Sequence, residues 1–264
     1  MTALRSLAIW FFVLACIALW VPLVACVRVF DRHPARLRTG RWFRRLGVAV
    51  TKLVPLWRLR VDGIPAGGLE APCVLVGNHQ SLADIPLISH LPWEMKWVAK
   101  RSLFRLPFIG WMMRMAGDIP LDRADARSGA RCLLRAARYL RQGCPVMFFP
   151  EGTRSADGGV GRFRDGAFRL ALRERVNVIP IAIEGSRDCL PKHSWRFGAA
   201  RAIRVRVLPP IEVANFRPDQ TEALREAARR AIIRQIAHWR ATDESAVDAT
   251  GTAAGVPSAA PLQI

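Results

Sequence analysis

The chain has 264 residues, 40 of them Lys or Arg against 21 Asp or Glu, giving a formal net charge of +19. That length allows one substantial core with short additions. The charge invites nucleic acid, but no basic ribbon interleaved with aromatics, zinc spacing or helix-turn-helix signature accompanies it, so anionic lipid and other anionic partners account for it better.

In chain order, the first expected element is an uncharged run of 21 residues from Leu7 to Val27. It is long enough to cross a hydrocarbon core of about 30 Å. Arg5 precedes it, and Arg28, Arg32, Arg36, Arg38, Arg41, Arg44 and Arg45 follow, an asymmetry that keeps the C-terminal side in the cytoplasm. The expectation is a single-pass transmembrane anchor over residues 1–28, in the inner (cytoplasmic) membrane. A cleaved signal competes, since Leu23-Val24-Ala25-Cys26 resembles a lipoprotein cleavage site. The charge-poor start and the arginines beyond it oppose that reading. Residues 29–56 mix Trp42, Phe43, Leu46, Val50 and Leu53 with Arg44, Arg45 and Lys52, as a basic amphipathic helix at a membrane interface would, and Pro55 should end it early.

Residues 57–241 read as a single α/β domain. Trp57–Val61, Cys73–Gly77, Lys96–Ala99, Val146–Phe149, Val178–Ile183 and Ile203–Leu208 are expected strands. Ala130–Arg141 is an expected helix, with Leu133, Leu134, Ala137 and Leu140 inward and Arg131, Arg135, Arg138 and Arg141 outward. Asp219 with Glu222 looks like a capping box opening a last helix through Trp239, with Leu224, Ala228, Ile232, Ile236 and Trp239 inward. Residues 242–264, rich in Ala, Gly, Ser and Pro, read as a disordered and dispensable tail. The six cysteines show no Cys-x-x-Cys pair and no metal spacing, so they read as small buried side chains of a reduced compartment.

Two polar segments follow expected strands, where open α/β sheets place their ligands. The first is Asn78-His79-Gln80-Ser81-Leu82-Ala83-Asp84. Residues five apart lie about 140° apart around a helix, so His79 and Asp84 meet only if His79 sits in the turn before a helix and Asp84 in its first turn. Ser81 fits the N-cap between them. The carboxylate then holds one ring nitrogen and leaves the other free to take a proton. The second segment, Phe149-Pro150-Glu151-Gly152-Thr153-Arg154-Ser155, puts an acid and a guanidinium on a glycine-bearing turn. His33, His90, His193 and His238 lack a comparable partner and read as structural or surface residues.

Here the chain resembles the glycerolipid acyltransferases, most closely the bacterial 1-acyl-sn-glycerol-3-phosphate acyltransferases, over roughly residues 55 to 210. Asn78-His79 with Asp84 resembles the first block of that family. Lys100-Arg101-Ser102-Leu103, Pro107 and Gly110 resemble the stretch leading to the second. Gly117-Asp118-Ile119-Pro120-Leu121-Asp122-Arg123 looks like the second block, with Pro120 where a bulky apolar residue is common. Phe149 to Ser155 is close to the third, and Val178-Ile179-Pro180-Ile181-Ala182 resembles the fourth.

The resemblance implies a mixed β-sheet flanked by helices. It also implies transfer of a fatty acyl group from acyl-CoA or acyl-carrier protein to the free hydroxyl of the lysolipid, giving phosphatidic acid. His79 would be the base and Asp84 its orienting partner. Asn78, Lys100, Arg123, Glu151, Gly152, Thr153 and Arg154 would bind substrate, with the amides at the start of the helix after His79 as oxyanion donors. No metal or cofactor is required beyond the acyl donor. Anionic membrane lipid is the expected partner and nucleic acid is not. An acyltransferase for lyso-ornithine lipid or another lysolipid carries the same blocks. A non-catalytic lipid-binding protein is opposed by the intact His79–Asp84 pair, and a hydrolase by the lack of a Gly-x-Ser-x-Gly elbow.

Overall fold

The computed structural model describes residues 3–54, 57–191, 194–198 and 201–250. Seven strands form one sheet: β1 (Trp57–Asp62), β2 (Val74–Gly77), β3 (Lys96–Lys100), β4 (Ile119–Leu121), β5 (Val146–Phe148), β6 (Val178–Glu184) and β7 (Arg201–Val207). Their order is β1-β7-β6-β2-β5-β3-β4. Only β6 and β7 pair antiparallel; β1–β7, β6–β2, β2–β5, β5–β3 and β3–β4 are parallel. The six expected strands are present within a residue or two at each end. β4 went unread because three residues, one of them Pro120, give no periodicity to detect.

Side chains alternate between two buried faces, as a covered parallel sheet requires. Val74, Val76, Val146, Phe148, Val178 and Ala182 point to one face. They meet α5 (Ala126–Arg141), α6 (Gly166–Glu174) and α8 (Thr221–Arg240) there, through Ala136, Phe168 and Ile232 among others. Leu75, Met147, Ile179, Ile181 and Ile183 point to the other face, beneath Leu87 and Ile88 of α3 (Asp84–Ile88). α4 (Ile109–Ala116) and the short α7 (Ser186–Cys189) complete the set.

The N-terminal region departs from expectation. α1 (Ala3–Phe30) and α2 (Leu37–Leu53) are not set apart from the domain. The first turns of α1 are tied to residues 195–198: Trp10 Nε1 donates to the Trp195 carbonyl at 2.7 Å, and Ser6 Oγ accepts from Phe197 N at 3.1 Å. Farther along, Val24 is buried with Phe43 of α2, Phe104, and Met112 of α4. A helix of 28 residues is about 42 Å long, and both of its ends rest on the same body. It therefore runs along the domain, with Leu4, Leu7, Phe11, Phe12, Leu14 and Leu19 exposed on its outer face. α1 is long and apolar enough to cross a membrane, and α2 ends at Leu53, just before Pro55, as expected.

α2 is fastened by a charge network that the sequence does not reveal. Arg44 pairs with Asp118, which also accepts from Trp97 N at 3.1 Å. Lys96, fully buried, donates to Glu94 and to the Ala116 carbonyl, each at 2.8 Å. Burial raises the Glu94 carboxyl, with the Asp118 charge adding to it, against the opposing pull of Lys96 and Arg44.

Three smaller expectations fail. Leu134 is 63% exposed rather than inward. No side chain caps α8, and Glu222 pairs with Arg225 at 2.7 Å instead. Residues 243–250 are ordered: Val247 is buried, and Val160 N donates to its carbonyl at 2.8 Å. The rest of the expected tail, and His193, lie outside the described residues. Cys73, Cys132 and Cys144 are free buried thiols, each pushed up to about 12 chiefly by burial, so none is a nucleophile at neutral pH.

Candidate active site

Because β2, β5, β3 and β4 are parallel neighbours, their carboxyl ends open along one edge. His79 follows β2, Glu151 follows β5, Lys100 ends β3 and Arg123 lies two residues past β4. With strands about 4.8 Å apart, β2 and β4 are separated by roughly 14 Å. That is room for a small polar group between them.

His79 lies in the turn and Asp84 opens α3, the arrangement their spacing requires. His79 Nδ1 is 2.7 Å from Asp84 Oδ2. The same oxygen accepts from Gln80 N at 2.8 Å and Ser81 N at 2.9 Å. Asp84 is fully buried, whereas the His79 side chain keeps 12% of its surface exposed. A carboxylate on Nδ1 places the proton there, so Nε2 is the open acceptor. The ring is stacked on Phe149, with centroids 4.1 Å apart and planes 19° apart. The stacked Phe149 fixes the plane of the ring. Phe149 was legible only as part of a motif; its contact with His79 was not.

These bonds overturn one expectation. The amides of Gln80 and Ser81 are already taken by Asp84, and Ala83 N by Ser81 Oγ at 3.2 Å. They are not oxyanion donors. Ser81 is not the helix N-cap, a position held by Ala83; its hydroxyl donates to the Leu190 carbonyl at 2.7 Å.

Asn78 is likewise not a substrate ligand. It is fully buried, donating to the Ile183 carbonyl and accepting from Ile183 N, both at 2.9 Å. Its amide extends the β2–β6 pairing past the last ladder bond and holds the turn that carries His79.

Glu151 turns inward as well. Oε1 accepts from His79 N at 2.8 Å and Oε2 from Gly161 N at 3.1 Å. It joins the histidine's backbone to the loop beyond β5, while Ser155 N donates to the His79 carbonyl at 2.7 Å. Burial pushes its carboxyl up to about 7; the Asp84 charge adds to this, and the two amides and Arg229 oppose it. Gly152 has φ +74, and a Cβ there would lie 3.0 Å from Arg164 Nε, so only glycine suits the turn. Thr153 is exposed and Arg154 half-buried on that turn. Arg123 is open to solvent on one side, yet its pKa is lowered, first by surrounding protein and then by the like charge of Arg164. Two guanidiniums in mutual repulsion favour an anion between them. The edge therefore offers a base beside a row of cations.

Residues 58–184 match the family model described as Acyltransferase. Among curated relatives, a chloroplastic 1-acyl-sn-glycerol-3-phosphate acyltransferase of Brassica napus is 36% identical over 196 residues, 72% of this chain and 57% of that protein. A 1-acyl-sn-glycerol-3-phosphate acyltransferase of Borreliella burgdorferi is 27% identical over 189 residues, 69% of this chain and 75% of that protein. The chain spans about half the length of the plant and algal relatives it matches. In fold, it is similar to the crystal structure of the 1-acyl-sn-glycerophosphate acyltransferase PlsC from Thermotoga maritima. The TM-score is 0.73 at 24% identity, covering 90% of this chain and 99% of the other. With the motif residues of that family standing together at one edge of the expected mixed sheet, the chain belongs to the acyltransferase family.

Proposed function

We propose that the chain transfers a fatty acyl group from acyl-CoA or acyl-carrier protein to the free hydroxyl of 1-acyl-sn-glycerol-3-phosphate, giving phosphatidic acid for phospholipid biosynthesis. The observation that carries this reading is the His79–Asp84 pair, with Nε2 outward, on the same sheet edge as Lys100, Arg123, Arg154 and Arg164. His79 Nε2 takes the hydroxyl proton as the oxygen attacks the thioester carbonyl. Asp84 supports the imidazolium. The tetrahedral intermediate collapses, the carbon–sulfur bond breaks, and the departing thiolate takes the proton from His79. General-base help of this kind is worth about 10² to 10⁴ in rate. A hydrolase would use the same base on water, but the sequence lacks the Gly-x-Ser-x-Gly elbow that would favour one.

The acceptor meets the site from a membrane. The exposed apolar face of α1 supports attachment, and the arginines after it favour the anionic cytoplasmic leaflet of the inner membrane. A helix bound to the domain at both ends lies along the surface it enters rather than standing across it.

The test is Arg154→Ala. If this guanidinium grips the acceptor's phosphate, the KM for lysophosphatidate rises about tenfold or more, as losing a charged hydrogen bond implies. The dependence on acyl donor changes much less. Arg154→Lys rescues only in part, since a point charge does not reproduce a planar fork. A lysolipid without phosphate, such as lyso-ornithine lipid, is indifferent to the change. Weakened binding of the acyl donor with lysophosphatidate unaffected would move Arg154 to the donor side.

A further inference from the structure

The motif residues account for one side of His79. What holds its other side lies outside residues 58–184, on α8 and the segment after it. Arg229 and Arg240 are eleven residues apart, which returns to within about 20° of the same face of a helix. That face looks onto the Gly158–Gly161 loop. Arg229 is almost fully buried, and its Nε donates to the Gly161 carbonyl at 2.9 Å and its Nη2 to the Val160 carbonyl at 2.8 Å. Asp248 clamps the same guanidinium, with Nη1 at 3.0 Å from Oδ2. Arg240 Nη2 donates to the Gly158 carbonyl at 2.7 Å, and its Nε to Glu184 at 3.0 Å.

From this loop two routes reach the histidine. Gly161 N donates to Glu151, whose other oxygen accepts from His79 N. On the other side, Gln80 Nε2 donates to the Gly158 carbonyl at 3.3 Å and to Glu184 at 3.1 Å. Residues 247–249 close the loop from behind: Val160 N donates to Val247 and Ala249 N to Val160. Val160 is fully buried, and its carbonyl is met by protein donors alone, Ala249 N and Arg229, so the guanidinium fixes where the loop sits.

We infer that Arg229 and Arg240 are positioning residues for His79, acting through the Gly158–Gly161 loop along these two routes. The inference rests on the reading of His79 as the base. The two routes differ in charge. Glu151 faces His79 N and Asp84 from the β2–α3 side, Gly161 N from its own loop, and Arg229 from α8, whose guanidinium Asp248 clamps. Arg229 favours the ionised carboxylate that accepts both amides. Arg240 acts on the Gln80 side, already neutralised by Glu184.

The experiment uses the full chain in detergent or vesicles, with lysophosphatidate and an acyl-CoA. Arg229→Gln is expected to lower kcat about tenfold or more, with both KM values within about twofold, because a displaced base costs rate and not binding. The acid limb of kcat should move to higher pH as Glu151 loses its supporting cation. Arg229→Lys should restore the acid limb and only part of kcat. Arg240→Gln should lower kcat without moving the limb. A folded Arg229→Gln enzyme with wild-type kcat and pH profile overturns the inference, as does a rise in KM alone. If Arg229→Gln fails to fold, Asp248→Asn decides, since it loosens the guanidinium without removing it. A loss of several-fold in kcat is expected there, and none would overturn the inference. Full activity of His79→Ala would instead sink the underlying reading.

Discussion

His79→Ala lowers acyl transfer by about 10² to 10⁴, the worth of a positioned general base, while the protein stays folded with a lowered melting temperature. The backbone bonds that hold the turn survive the change, His79 N to Glu151 and Ser155 N to the residue 79 carbonyl, but the stack on Phe149 and the ring's bond to buried Asp84 are lost. Asp84→Asn should also lose orders of magnitude. An amide oxygen can still accept from Gln80 N and Ser81 N, but it brings no negative charge to the imidazolium. The same change in a serine protease triad costs about 10⁴. Asp84 is fully buried with three bonds converging on one oxygen, so some stability is lost with it. Turnover within a few-fold of wild type in well-folded His79→Ala protein would remove the base from the mechanism.

Glu151→Gln is the second large effect, expected to cost about 10² in kcat, the scale of a base displaced by an ångström. Both carboxylate oxygens accept from backbone amides, and a Gln nitrogen must face one of those N–H groups, donor against donor. Either the His79 turn or the Gly161 loop then moves. The effect on stability has the opposite sign at high pH. The folded carboxyl is raised from 4.5 to about 7, so its contribution to stability is complete below 4.5 and is lost as pH rises through about 7. The melting temperature of wild type relative to Glu151→Gln should therefore decline across that window and level off above it. Activity runs the other way, since the ionised form is the better acceptor for both amides. A melting difference that grows with pH would contradict the assignment.

The His79–Asp84 pair was legible because its geometry is local. Five residues separate His79 from Asp84, and only a turn followed by a helix start brings them together. The strands were legible because their apolar runs are buried on both faces. The partners of Asn78 and Glu151 were not legible because they are distant in sequence, Ile183 for Asn78 and His79 N for Glu151. The helix-start amides were local, but the oxygen of Asp84 that holds the imidazole also accepts from them. α1 was legible as a long apolar helix that fits a membrane span, while its contacts with the domain through Ser6, Trp10 and Val24 were not. The role of residues 243–250 depends on Arg229, nineteen positions before Asp248, and composition carries no trace of that pairing.

The most direct measurement is product analysis with the purified protein on vesicles containing 1-acyl-sn-glycerol-3-phosphate and an acyl thioester. Mass spectrometry would follow phosphatidic acid, free fatty acid and released thiol. The account predicts phosphatidic acid and thiol in equal amounts, dependent on His79, with little free fatty acid. Free fatty acid matching the thiol released, with no diacyl product from this or any other lysolipid, would contradict it.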